Sequence, residues 1–223
     1  MLRTKASGQP IELEPNSKPY LLKRIISDGF DTVAVLLLFL AISAIVFSTP
    51  LASGYNTHYR NCVKVRESAA EQFGEDARAI NESLQNNAYY RDEYFAANLH
   101  SYLLKLLSGF LAEAVVLLAV PLLSRSRGTP GKLLTKIMPF CEKKQTRASR
   151  LTVLGRFVFI FIIDSAFIYL FAGIYTFLLV PVIRLIEMLL NKKNKTICDA
   201  LTGIMIIEQI SYDGVDKFQE EQL

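Results

Sequence analysis

The sequence predicts an all-α membrane protein. It reads as a small transmembrane helical bundle, four crossings preferred, with an amphipathic external helix and a short cytoplasmic two-stranded β ribbon. Three observations predict this. Apolar residues, 51% of the 223, fall in long uncharged runs. Basic residues collect between those runs, an asymmetry that orients the chain. Two short apolar segments, Leu134 to Cys141 and Ala200 to Gln209, follow the second and the last run and are too short to span.

Residues 1–19 are polar, with Pro10, Pro15 and Pro19, and read as a flexible cytoplasmic tail. A single membrane domain then covers 20–210, and 211–223 form a polar tail. The first helix, about 28–50, contains the run TVAVLLLFLAISAIVFSTP. It starts too late, carries Asp28 and Asp31 at its flank and is too long for a signal peptide, so it reads as retained. Segment 51–102 is polar and of mixed charge. Within it Val65, Ala69, Phe73, Ala77, Ile80 and Leu84 recur at spacings of three and four, one apolar face of an amphipathic helix. The mixed charge of its other face favours packing on protein over lying on a membrane surface.

The second helix, about 103–123, holds Lys105 near one end and Glu113 near its middle. Loop 124–155 carries Arg125, Arg127, Lys132, Lys136, Lys143, Lys144, Arg147 and Arg150 against the single acid Glu142, the mark of a cytoplasmic loop. Run 157–190 is read as two short helices, 157–172 and 174–190, meeting near Gly173. One long tilted or kinked helix, with Pro181 as the kink, is the rival. Two helices keep both termini cytoplasmic, as Lys18, Lys23, Arg24 and the lysines after 190 require. The two short apolar segments pair as the ribbon and need the bundle to rest on. No internal repeat is visible.

Charge inside a bilayer is costly and usually purposeful. Asp31, Glu113 and Asp164 are the candidates for cation or proton handling, since a desolvated carboxylate can exchange a proton for a cation near neutral pH. The bland reading is that these acids pair with Arg or Lys and fix helix packing. Arg24, Asp28 and Asp31 form one charged stripe where the first helix begins. Arg24 and Asp199, both at cytoplasmic interface positions, are expected to form a charge-assisted pair. Arg127 to Lys132, RGTPGK, lacks the phosphate-loop spacing and reads as a Gly/Pro turn whose lysine faces headgroups or solvent. Cys62, Cys141 and Cys198 show no CxxC spacing, and His58 and His100 stand far apart, so no disulfide framework, metal site or cofactor is expected.

Three blocks in order, KRIISDGFD (23–31), GTPGKLL (128–134) and KTICDALTGIMI (195–206), resemble the RDD family of bacterial membrane proteins. The resemblance implies Arg24, Asp31 and Asp199 as the named residues, with Gly131 and Lys132 in the turn block, and a multi-pass protein of the bacterial plasma (inner) membrane. Cys198, Ile204 and Arg127 depart from the pattern, and 51–102 is similar to an insertion. Some members are proposed sodium/proton antiporters, so the resemblance also implies Na+ or H+ as candidate cargo.

Function is thus expected to be small-cation/proton transport through Asp31, Glu113 and Asp164. The alternative is a non-transporting membrane scaffold or interaction protein whose basic loop meets anionic lipid. The lipid bilayer is the expected partner, with a homo-oligomer or another membrane protein besides, and no nucleic acid. An enzyme is not expected, although Asp28, Asp31 and Asp199 could in principle hold a metal at the cytoplasmic face.

Overall fold

The computed structural model describes the backbone of residues 2–3, 10–11, 18–141, 146–167, 176–191 and 194–208; side chains are described over 21–141, 147–163, 179–191 and 194–208. The described chain is mostly helical, and two of its helices are long and apolar enough to cross a membrane, Leu21–Ser48 and Ala88–Leu123. It divides into two compact units. One comprises 1–38 with 112–223, the other 39–111.

The first helix, α1, runs from Lys18 to Ser48, so it starts about ten residues before the expected residue 28. Its entry turns carry the charged stripe, so composition placed the boundary at the edge of apolarity and not at the edge of the helix. A short β1–β2 pair, Leu2–Arg3 with Pro10–Ile11, lies in the segment expected to be an irregular tail.

In unit 39–111, a 3₁₀ turn at Pro50–Ala52 leads into α2, Ser53–Phe73, and α3, Ala77–Asn86. The single amphipathic helix expected across Val65 to Leu84 is therefore two helices. Gly74 takes φ 61°, conformational freedom that only glycine has at little cost, and Asp76 caps α3 by accepting from the N–H groups of Arg78 and Ala79. The next helix, α4, spans Ala88–Glu113, so it starts well before the expected residue 103. Val46, Ala52 and Leu104 form this unit's core, with Ile42, Phe47 and Tyr55 against it.

In the other unit, a π-helical stretch Ala114–Ala119 and α5, Val120–Leu123, continue from α4. The basic segment beyond is not all loop. It holds α6, Pro130–Leu134, strand β3, Ile137–Cys141, and strand β4, Thr146–Arg147. Helix α7, Arg150–Phe159, passes into a π-helical stretch Ile160–Phe167. The expected junction at Ala172-Gly173 lies outside the described residues. Helix α8, Thr176–Leu190, contains Pro181; α9, Ile197–Leu201, and strand β5, Ile204–Glu208, follow.

The expected ribbon is present as β3 antiparallel to β5, with β4 added on the far side of β3. Both faces are covered: Ile137, Ile204 and Ile206 cluster on one, Met138, Phe140 and Ile207 on the other. A strand buried on both faces reads as a continuous apolar run, which is how β5 reads in the sequence. Pro139 stands in the central strand without breaking it. Its carbonyl accepts from Ala148 on the β4 side, so the missing N–H also faces that side.

The structure also contains a repeat that the sequence reading did not detect. Residues 127–141 and 194–208 have the same conformation 67 positions apart, as Thr129 and Thr196 show. Each has a residue of positive φ, Arg127 or Asn194, then a threonine N-cap, a five-residue helix, a second threonine, a second positive φ at Lys136 or Gly203, and a strand. The bonds of the second threonine and of the helix backbone correspond, while the cap bond is made by Thr196 alone. Thr135 Oγ1 donates to the Gly131 carbonyl at 2.9 Å and Thr202 Oγ1 to the Cys198 carbonyl at 2.7 Å. The β3–β5 register, Ile137 with Glu208 through Pro139 with Ile206 to Cys141 with Ile204, exchanges equivalent positions about its central pair. A pseudo-two-fold axis therefore passes between Pro139 and Ile206.

Candidate functional site

One face of α1 supplies Arg24, Ser27, Asp28 and Asp31, which helical spacing stacks on successive turns. Two short helices dock against it, each by its first turn.

The α6 side is built on a close approach. Gly131 lies so near α1 that a methyl group there would stand 2.1 Å from the Ser27 carbonyl oxygen. Contact at that range brings the start of α6 onto Asp31. Asp31 Oδ1 accepts the Gly131 N–H at 2.7 Å, and Oδ2 accepts the Thr129 hydroxyl. Thr129 sits at the N-cap position but makes no cap bond within its own helix. Its hydroxyl is committed to Asp31, and Asp31 does the capping from another helix. A carboxylate at a helix N-terminus is favoured by the exposed N–H groups and the helix dipole. Lys132, only 3% exposed, reaches back to Asp28 Oδ1 at 3.3 Å, Thr129 Oγ1 at 3.2 Å and Asp31 Oδ2 at 3.6 Å.

The expectation that this lysine faces headgroups or solvent is therefore wrong. The two carboxylates of α1 provide a buried counter-charge, and without one an ammonium could not stay inside.

The α9 side has the opposite charge. Asp199, fully buried, accepts from Arg24 Nη2 at 2.7 Å and from Arg156 Nε of α7 at 2.8 Å. Arg24 Nη1 donates to the Asn194 carbonyl, which the left-handed conformation of Asn194 (φ 49°) turns toward it. Thr196 Oγ1 caps α9 by accepting the Asp199 N–H at 3.2 Å, and Glu187 Oε2 accepts the Ile197 N–H at 3.1 Å. Burial acts to raise the Asp199 pKa; the Arg156 and Arg24 guanidiniums outweigh it and hold the carboxyl well below the usual carboxylate range. Lys132 and Asp199 are the same position of the repeat. Each meets α1 with a charge opposite to what α1 presents there. At the edge, Lys23 pairs with Glu208 of β5 at 2.7 Å.

The expected Arg24–Asp199 pair is thus formed, and Asp31 is joined to Gly131 and Lys132. Asp28, Asp31 and Asp199 do not converge as a metal-holding trio, because the first two face Lys132 and the third faces two arginines. Among the described residues no group of three His, Cys, Asp or Glu side chains could hold a metal ion. Glu113 is buried at the end of α4, where the π-helical stretch begins. Asp164 lies in the second π-helical stretch, its side chain outside the described ones.

Arg156, whose place at the flank of a helix marks it as a possible partner for a buried acid, pairs with Asp199, an acid that the sequence assigns to Arg24 alone. Sequence reasoning missed that the two histidines meet. The rings of His58 and His100 lie 5.2 Å apart, with His58 Nδ1 2.8 Å from Glu93 Oε2.

Comparison of the chain with protein-family models, with characterised proteins and with solved structures finds no match.

Proposed function

We propose that this chain is an RDD-like membrane protein that does not transport, a scaffold or interaction protein whose charged residues lock helix ends together at the cytoplasmic face. The observation that carries this reading is the occupancy of Asp31. A carboxylate that exchanges cations must release one partner to take another. Asp31 already holds a backbone N–H, a hydroxyl and, close by, a lysine ammonium supplied by the chain itself. Asp199 is likewise matched by two guanidiniums. Truncating one partner of such a buried pair costs about 3–5 kcal/mol, which suits a permanent lock more than a site that opens each cycle. The meeting of Arg24, Asp31, Gly131, Lys132 and Asp199 in one array supports the family resemblance of the three blocks. In this reading four helices cross, both termini are cytoplasmic, and segment 51–102 faces the outside, where a partner can reach it.

A second reading, proton-coupled cation transport, draws on Glu113. It is an acid buried in a spanning helix at the edge of a π-helical stretch, a feature frequent at functional sites. One experiment separates the two. The purified protein is reconstituted in vesicles and the internal pH followed on adding Na+, K+ or Li+, beside a Glu113→Gln/Asp164→Asn double variant. The scaffold reading expects no flux above empty vesicles from protein shown to be inserted and folded. A cation-dependent proton flux that the double variant loses would overturn it.

A further inference from the structure

The repeat provides an internal replicate of a surface. Residues 129–141 and 196–208 share five side chains at equivalent positions, Thr129/Thr196, Leu134/Leu201, Thr135/Thr202, Ile137/Ile204 and Met138/Met205. The other pairs differ, several of them radically: Gly131 against Cys198, Lys132 against Asp199, Lys136 against Gly203. Even so, the two copies leave the same positions uncovered. Leu134 is 63% exposed and Leu201 57%. Leu123 and Leu190, which end α5 and α8 and are also 67 positions apart, are 87% and 81% exposed. Leu133 and Ile197 add apolar surface to the outward faces of α6 and α9, while the inward faces carry the Lys132 and Asp199 contacts to α1. Both short helices are thus amphipathic, and both turn leucine outward.

We infer that α6 and α9 are a matched pair of membrane-interface anchors, each laying its outward leucines into the acyl–headgroup boundary of the inner leaflet. This rests on the membrane reading proposed above. Two features select lipid as the occupant. The uncovered leucines follow the exposed ends of the apolar helices α5 and α8 by the same eleven positions, Leu134 after Leu123 and Leu201 after Leu190. They are also followed at once by basic residues, Arg125 after Leu123 and Lys192 and Lys193 after Leu190, which suit anionic headgroups. The same geometry explains the charge swap between the copies. Each helix can lie flat on the bilayer only if its inner face is neutralised by α1, and α1 presents acids to one copy and an arginine to the other.

The chain contains no tryptophan, so a single introduced one is a clean reporter. Leu134→Trp, Leu201→Trp and Leu37→Trp, the last in the exposed apolar part of α1, are each reconstituted in phosphatidylcholine/phosphatidylglycerol vesicles. The acyl chains of these vesicles carry bromine at shallow or deep positions. The emissions of the Leu134→Trp and Leu201→Trp variants are expected to be blue-shifted and to lose roughly half their intensity to shallow bromine, as befits a helix about 5–10 Å into the boundary. Deep bromine should quench them less and Leu37→Trp more. If Leu37→Trp is quenched by lipid while either interface probe is quenched by aqueous iodide instead, the anchor inference fails and the membrane reading stands. Interface probes shielded from both quenchers would mean that protein covers these leucines, which also overturns the anchor inference. If none of the three is quenched by lipid, the membrane reading itself fails.

Discussion

Replacing Gly131 with alanine tests the tightest backbone approach that any described glycine makes. The added methyl carbon would stand 2.1 Å from the Ser27 carbonyl oxygen, 2.9 Å from its carbon and 3.0 Å from Asp31 Oδ1. The carbonyl belongs to α1 and cannot rotate aside without breaking the helix. A carbon and an oxygen need about 3.3 Å, so α6 must withdraw by about 1 Å. That takes the 2.7 Å bond from the Gly131 N–H to Asp31 beyond hydrogen-bond range. Losing a bond to a charged acceptor costs about 1.5–3 kcal/mol, and overpacking adds about 1–3 kcal/mol. At about 2–4 °C per kcal/mol for a chain of this size, Gly131→Ala should lower the melting temperature by about 10 °C. Gly155→Ala is the matched control. It lies within α7 with nothing inside 4 Å of the new methyl, so it should be neutral or stabilise by up to about 1 kcal/mol. Thermal unfolding followed by circular dichroism in detergent reads both. A Gly131→Ala protein that melts with the wild type would refute the contact between α6 and α1.

Further outcomes follow from the α9 side. Arg24→Lys keeps the charge but not the fork that reaches both Asn194 and Asp199, so its melting temperature should fall by several degrees. The reversal Arg24→Asp with Asp199→Arg should recover only part of the loss of either single variant, because Arg156 then faces an arginine; full recovery would show that Arg156 contributes nothing. The depressed pKa of Asp199 sets a pH dependence. A carboxyl whose folded pKa lies below its unfolded value stabilises above the unfolded value, about 3.9, and loses that stabilisation as pH falls towards the folded one. Melting temperature should therefore be flat with respect to this group at neutral pH and fall below about pH 4. Asp199→Asn should be less stable at neutral pH and lose that part of the acid limb; an unchanged limb would assign it to other groups.

The elements legible in the sequence were those written in composition. The long apolar runs marked α1 and the latter part of α4, and the apolar segments after 133 and 199 marked β3 and β5. The Arg24–Asp199 pair was legible because both residues stood at interface positions and carried opposite charge. Lys132 was misread because a lysine beside a membrane ordinarily reaches outward. What turns it inward is a pair of acids roughly 100 residues away on α1, and no local signal encodes that distance. The break between α2 and α3 was readable in principle, since glycine followed two residues later by an N-capping aspartate is a stop and start signal. An unbroken apolar stripe masked it. The repeat stayed hidden because it is short, its five shared side chains are scattered among radical differences such as Lys132 against Asp199, and the rest of its likeness lies in backbone conformation. Arg127, Lys136 and Asn194 adopt positive φ, and for arginine and lysine nothing in the side chain announces it.

The separation of the partners along the chain bears on how the protein is made. Asp31 waits 100 residues for the Gly131 N–H, and Arg24 waits 175 for Asp199. During synthesis α1 therefore emerges with an arginine and two aspartates that have no lasting counterpart. The acids are met when the ribosome has completed α6; the arginine is met only with the last short helix. A nascent chain that stops before α9 lacks the carboxylate that Arg24 meets in the folded array. The array is therefore complete only once the chain has been made through Asp199, so its two halves close in sequence order and not together.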